Sequence, residues 1–301
     1  MTQSQHSNPM IGIFWMFVTG VSFVAVTALV KYMGPRIPPA EAAFLRYLLG
    51  LIFFIPVLRP ILRARLTRRQ WGISALRGGL HAGGVMLWFF AMTSIPIAEV
   101  TAMNYLAPVY VSIGAVFFLG ERLAARRMAA VVIALLGAAI ILRPGFREIE
   151  DGHYAMLLAA VVFAFGYLAA KILADEVPAS VVVGTLSVFV TLFLAPLALM
   201  NWVSPTWEEI GLLFLVAIFA TGGHYTMTLA FAAAPVTVTQ PITFLQLVWA
   251  MLLGALVFSE PVDIWVIIGG AVILASVTFI TWREAVLKRG QITPPSPATK
   301  L

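Results

Sequence analysis

The sequence predicts an all-α polytopic membrane protein, its ten transmembrane helices forming two five-helix inverted repeats. Three observations predict it. Of the 301 residues 61% are apolar and only 11% are charged, against roughly 25% charged in an average soluble domain. The apolar residues gather into ten runs close to the ~20 residues that a bilayer-crossing helix needs. The second half of the chain echoes the first at a nearly constant offset.

The runs span 9–31, 39–58, 71–93, 96–119, 124–142, 153–174, 179–201, 208–232, 235–258 and 262–282. They lack the period-two alternation of barrel strands, so they read as helices. The first run has no Lys or Arg before it and no A-x-A site after it, and reads as a span rather than a cleaved signal peptide. An even number of spans places both termini on one side. That side carries 13 basic residues: Arg59, Arg63, Arg65, Arg68, Arg69, Arg122, Arg126, Arg127, Lys171, Arg283, Lys288, Arg289 and Lys300. The other side carries 4, Lys31, Arg36, Arg143 and Arg147, while Arg46 and Arg77 fall inside spans. The positive-inside rule then puts both termini in the cytoplasm. Residues 1–8 are a cytoplasmic N-terminus, 9–143 the first repeat, 152–283 the second, and the polar, Pro-rich stretch 284–301 a disordered cytoplasmic tail.

Composition also excludes. There is no cysteine, hence no disulfide, thiolate metal site or Cys nucleophile. The net charge of +6 lies in loops, with no basic stripe interleaved with aromatics, so nucleic acid is not an expected partner. No HExxH, paired intramembrane aspartates or GxSxG elbow supports an intramembrane enzyme. A channel would want a ring of charges or a carbonyl filter. No cofactor is expected.

The repeat is the most informative feature. Lys31, Pro38 and Pro56 recur as Lys171, Pro178 and Pro196 at offset 140. Gly83, Gly84, Ala91, Pro96, Leu106, Val109 and Glu121 recur as Gly222, Gly223, Ala230, Pro235, Leu245, Val248 and Glu260 at offset 139. Each half holds five spans, an odd number, so the halves lie in opposite orientations. GERL (120–123) and SEPV (259–262) are then one motif seen from two sides. Inverted repeats of this kind are the architecture of alternating access, with the site near the midplane.

Lys31 before Pro38-Pro39 and Arg46, GERL at 120–123, GAAIILRPG at 137–145, and their echo in the second half resemble the EamA type of the drug/metabolite transporter superfamily. The resemblance covers residues 9–283. It implies ten helices, cytoplasmic termini and secondary transport of a small organic solute across a bacterial inner membrane. Substrates in the family include amino acids, S-adenosylmethionine and riboflavin. The second half has no counterpart of Arg46.

The polar groups inside the spans are the candidate site. Arg46 lies about 10 Å inside span 2 at 1.5 Å per residue, where an unpaired charge costs about 2.5–3.5 kcal/mol. Glu99 enters span 4 from the same side, so an Arg46–Glu99 structural ion pair is expected, with Glu41 as a second partner for the arginine; a substrate role or snorkelling of Arg46 are the alternatives. Arg77 is expected to snorkel. His81 and His224 each stand beside Gly-Gly pairs in spans 3 and 8. They read either as packed core histidines or as a cavity wall that binds substrate or a coupling proton. Two distant histidines with no carboxylate spaced to join them make no metal site. Trp88 shares the face of His81 at i+7. Asn104 and Tyr105 in span 4, Tyr167 in span 6, Tyr225 in span 8, and Gln240, Gln246 and Trp249 in span 9 complete the candidate substrate-binding set. Pro108 and Pro241 each remove a helix hydrogen bond and can expose carbonyls to a cavity.

Aromatic faces, amides and hydroxyls with few charges suit a neutral or zwitterionic, planar metabolite. Among the substrates that the resemblance implies, riboflavin uptake fits best, with export of amino acids or related metabolites as the alternative. The expected partners are that small molecule, the lipid bilayer and a coupling proton; the sequence carries no signal for oligomeric state.

Overall fold

The structure, a computed structural model, describes residues 8–57, 63–119, 125–174, 176–234, 236–239 and 242–292. The described residues form ten helices. These are α1 (Pro9–Met33), α2 (Pro39–Gly50, continued by a 3-10 stretch Leu51–Val57), α3 (Arg68–Ser94), α4 (Ile97–Asn104 and Ala107–Leu119) and α5 (Ala125–Leu142). Then come α6 (Asp151–Ala174), α7 (Ala179–Met200), α8 (Trp207–Ala233), α9 (Val236–Thr239 and Thr243–Phe258) and α10 (Ile264–Ile292). They coincide with the ten hydropathy runs except at the last end. There α10 continues to Ile292, so residues 284–292, expected as disordered tail, are helical. Glu284 and Lys288 stand four apart there, a spacing that favours helix.

Six helices, α1, α5, α6, α7, α8 and α10, are long and apolar enough to cross a membrane. The other four are unlike them for local reasons. The helical stretches of α2, α4 and α9 are short, and α3 carries Arg77, His81 and two Gly-Gly pairs. The break in α4 falls at Tyr105–Leu106, just before Pro108. The proline has no N–H to bond the Asn104 carbonyl, and its ring crowds that carbonyl. The Tyr105 and Leu106 amides turn back to Ala102 O and Met103 O, at 3.3 and 3.0 Å.

The two halves pack as an inverted pair. Helix α1 lies along α8 as α6 lies along α3. Lipid is as apolar as leucine, so these helices associate through close packing and hydrogen bonds rather than through burial from water. A Cβ at Gly84 of α3 would sit 2.6 Å from the Phe163 ring of α6, and one at Gly223 of α8 would sit 3.4 Å from the Phe23 ring of α1. The four residues are repeat partners, at offsets 140 for the rings and 139 for the glycines. The Thr19 and Thr226 hydroxyls meet at 2.9 Å across the α1–α8 contact. Helices α3 and α8 begin with the same capping box, Thr67 with Gln70 and Thr206 with Glu209. Helix α7 packs on α2, and α5 crosses α10 where Gly137 meets Gly269.

Helix alternation puts Pro9 and Ile292 at one end, called here the terminal end. The far end holds the connections 34–38, 95–96, 143–150, 201–206 and 259–263.

Candidate functional site

The inward faces of α6 and α8 change character halfway along. On α8 one helical row runs Leu213, Ala217, Ala220, His224 and Phe231. Its first three members, toward the far end, are buried, whereas His224 is exposed and Phe231 is 43% exposed. On α6 the corresponding row runs Met156, Ala160, Phe163 and Tyr167. Again the first three are buried and Tyr167 is 45% exposed. Of these, Tyr167 and His224 are turned toward the other helices of the bundle. Tyr167 lies within electrostatic reach of Arg77 on α3 and Tyr47 on α2, and His224 within reach of Arg46 on α2 and Arg77. The gap between α2, α3, α6 and α8 is therefore closed in its far half and open in its terminal half.

Where the gap closes, side chains of both halves meet. His81 Nε2 is 2.8 Å from the Tyr47 hydroxyl. Its ring packs against Phe163 at 5.1 Å between centroids, and Phe23 packs edge-on to His224 at the same distance. Phe163 in turn stacks on Tyr167. Arg77 does not snorkel outward: it turns in and donates to Val182 O at 2.9 Å.

The far end is fastened by charge. Lys31 pairs with Glu260, whose carboxylate also accepts the Ile97 amide at 3.0 Å, while Lys31 donates to Ile95 O at 2.9 Å. Arg36 pairs with Glu209, the residue of the α8 capping box, and Arg143 with Asp263. Arg147 grips Glu99 with two bonds, 2.9 and 2.6 Å, and His153 contacts the same carboxylate. The Glu99 carboxylate holds the Arg147 guanidinium, out in the loop, more firmly protonated than usual. All four basic residues that the sequence places at this end are thus paired. Three of the pairs join the first half to the second directly, and the fourth does so through His153. At the terminal end Arg69 and Gln70 hold Glu176 at 2.6 and 3.1 Å, lowering that carboxyl from its ordinary range. Arg36 and Glu176 are repeat partners at offset 140, so one cross-half latch recurs at the two ends with its charges exchanged.

This arrangement corrects the expected Arg46–Glu99 pair. Glu99 is taken by Arg147 and His153, which approach from the far-end loop and the start of α6. Glu41 is not the partner either: it accepts the Val203 amide at 2.9 Å. Among the described residues Arg46 has no hydrogen-bond or ion-pair partner, and its guanidinium lies 3.9 Å from the centroid of the Tyr47 ring.

The other sequence candidates divide. His81, Tyr167 and His224 come together in the gap, and Trp88 is on the His81 face with its buried indole N–H lacking a partner among the described residues. Tyr105 is a tie between helices, its hydroxyl donating to Thr243 O of α9 at 2.7 Å. Asn104 ends the first part of α4 and is half-buried; Gln246 lies beside Gly20 of α1. Tyr225 is 65% exposed on an outward stripe with Phe214 and Ile218. Trp249 is likewise turned outward, on a stripe with Leu245, Leu252 and Leu256, against Phe17 of α1. Both stand apart from the gap, because one residue of helix rotation carries a side chain ~100° around the axis. Gln240 and Pro241 lie outside the described residues, as do GERL and Asp175. The gap also uses residues that the sequence reading passed over: Tyr47, Phe23 and Phe163. The last two had a signal, since they recur at the repeat offset opposite Gly223 and Gly84.

A second space at the far end, about 210 Å³ among α1, α2 and α3, is lined by Val30, Ile37, Phe89 and Phe90. Its hydroxyls, Thr93 and Ser94, are already bonded to Phe90 O, so it offers no group to orient a solute.

Known proteins are similar to this chain along nearly its whole length. A riboflavin transporter of Vibrio cholerae serotype O1 is 30% identical over 287 residues, covering 92% of this chain and 95% of its own. An S-adenosylmethionine uptake transporter of Rickettsia prowazekii is 26% identical, covering 91% and 93%. A pseudopaline exporter of Pseudomonas aeruginosa is 27% identical, covering 88% and 94%. A crystal structure at 19% identity superimposes with a TM-score of 0.57 over 97% of this chain and shares the fold. The sequence profile of the EamA-like transporter family matches residues 10–143 and 151–282, one match per half. The protein is a multi-pass membrane transporter of small molecules, not an enzyme, and it belongs to the EamA-like transporter family.

Proposed function

We propose that the chain carries a flat organic metabolite through the gap between α2, α3, α6 and α8 by alternating access, with riboflavin uptake across the bacterial inner membrane as the first candidate activity. The observation that carries this reading is the step along α6 and α8, from buried Met156 and Leu213 to open Tyr167 and His224. A half-channel that ends on polar and aromatic groups suits a bound solute better than a continuous pore. With the termini cytoplasmic, this conformation is the inward-open one, and the far-end pairs are what must release for the outward-open one. Inverted repeats make the two shapes similar in energy, because each half can adopt the other's packing. The His81–Tyr47 pair is the proposed coupling-proton site, since an imidazole nitrogen and a phenol 2.8 Å apart in the gap can pass a proton between them. Tyr167, 45% exposed, offers a ring to a planar molecule, backed by Phe163.

Export of an amino acid or a related metabolite is the second reading, favoured by relatives named for uptake and for export at similar identity. Counterflow decides between these and against a channel. Purified protein in liposomes preloaded with riboflavin, or separately with phenylalanine, should accumulate the matching labelled compound transiently above its equilibrium level. Flux that rises linearly with concentration and shows no counterflow would reject the carrier reading.

A further inference from the structure

Arg46 is 9% exposed and sits in the middle third of a bundle that spans a membrane. Its guanidinium makes no hydrogen bond or ion pair with any described residue, only the contact with the Tyr47 ring at 3.9 Å. A buried cation without an anion is costly, and proteins either pair such a group or use it. The groups around it do not supply the missing charge. Arg77, His81 and His224 are basic or neutral. Of the carboxylates on nearby elements, Glu99 is held by Arg147 and His153, and Glu41 accepts the Val203 amide through one oxygen while its buried Oε1 has no partner among the described residues; neither makes an ion pair with Arg46. Arg46 also has no repeat partner: offset 140 leads to Leu186. A scaffold role would be expected in both halves, whereas one solute bound on the pseudo-twofold axis needs one anchor.

We propose that Arg46 is the anion-binding group of the central gap and that the transported molecule carries an oxyanion, a carboxylate or a phosphate. The inference rests on the carrier reading above, and within it replaces riboflavin as first candidate by an oxyanion-bearing metabolite. The Tyr47 ring lies over the guanidinium, 3.9 Å from its carbon to the ring centroid, and is itself held by His81, so one face of the guanidinium is covered and its N–H edges are left for a ligand. A guanidinium binds either oxyanion with two parallel hydrogen bonds. The exposed Tyr167 ring across the gap then suits an aromatic or otherwise flat remainder. Riboflavin itself lacks the oxyanion; its phosphate ester and aromatic amino acids have one.

Matched pairs test this on the purified full-length protein: flavin mononucleotide against riboflavin, and phenylalanine against phenylalaninamide. The anionic member of at least one pair should bind wild type tenfold or more tightly than its neutral partner. Arg46→Gln should abolish that discrimination and Arg46→Lys should keep part of it. The discriminating pair tells phosphate from carboxylate. Neutral members that bind as tightly, or discrimination unchanged in Arg46→Gln, would overturn the proposal. Inorganic phosphate gives an arm that needs no substrate. At equal ionic strength, replacing chloride by phosphate should raise the melting temperature of wild type more than that of Arg46→Met. Equal shifts in the two proteins would overturn the proposal, as would a substrate-free Arg46→Met that melts well below wild type, because that reports a structural partner. Liposomes showing no saturable flux of any of the four compounds would count against the carrier reading, and the phosphate arm would still decide Arg46.

Discussion

Glu99→Gln should swing the protein toward its far-open state. Glu99 is 4% exposed and accepts two bonds from Arg147 and one from His153. Removing its charge leaves Arg147, whose side chain is 22% exposed, without its closest counter-charge; Asp263 is 3.8 Å away and retains Arg143. Breaking a buried pair costs about 3–5 kcal/mol, and partial exposure of Arg147 argues for the lower end. Arg147 and Glu99 stay together when the halves part, so only the Glu99–His153 contact acts solely in the far-closed conformation; a hydrogen bond to a charged group contributes about 1.5–3 kcal/mol, which moves the equilibrium at least roughly tenfold toward far-open. The chain has no cysteine, so a single introduced thiol is an unambiguous reporter. Ala220, 2% exposed on the closed half of the α8 row, is the place for it. Ala220→Cys should react slowly with a membrane-impermeant maleimide from the far side, and at least tenfold faster when Glu99→Gln is added. Unchanged labelling in a protein that still folds and inserts would refute the latch.

Gly84→Ala should destabilise by about 1–3 kcal/mol, because its Cβ meets the stiff Phe163 ring at 2.6 Å, whereas Gly223→Ala, with 3.3–3.4 Å to Ser22 and Phe23, should cost less; melting temperatures in one detergent check the order. Trp249→Ala should leave substrate affinity within about twofold of wild type, since the ring lies on the outward leucine stripe, and a tenfold loss of affinity would bring span 9 back into the site. Reporter fusions at Arg69 and Glu150 should report opposite compartments, cytoplasmic for Arg69, and one shared compartment would contradict the ten-span topology.

The fold was legible because hydropathy and the repeat speak about the backbone. Pro178 restating Pro38 and Gly223 restating Gly84 required two similar halves, and the odd span count required their inversion. Partner choice among charges was less legible. Glu99 is near Arg46 in a list of span depths, but the loop that brings Arg147 back over α4 and the helix start that presents His153 have no periodic signature. Which aromatic candidates line the gap turns on rotation about a helix axis. Adjacent residues His224 and Tyr225 differ by one step, and in an all-apolar helix the sequence does not say which side meets lipid. In α9 the row that Trp249 shares with Leu245, Leu252 and Leu256 is readable in the sequence, and a row with three leucines offers little that is polar to a solute.

The central claim is a single solute site, between the halves, that this conformation opens to the terminal side. Tyr167→Cys tests it directly, because Tyr167 marks where the gap opens. In oriented vesicles an impermeant thiol reagent should label it from the terminal side and not from the far side. The transported solute should protect it with the same half-saturation that transport shows. Labelling from the far side alone, or no protection by a solute that is demonstrably transported, would contradict the account.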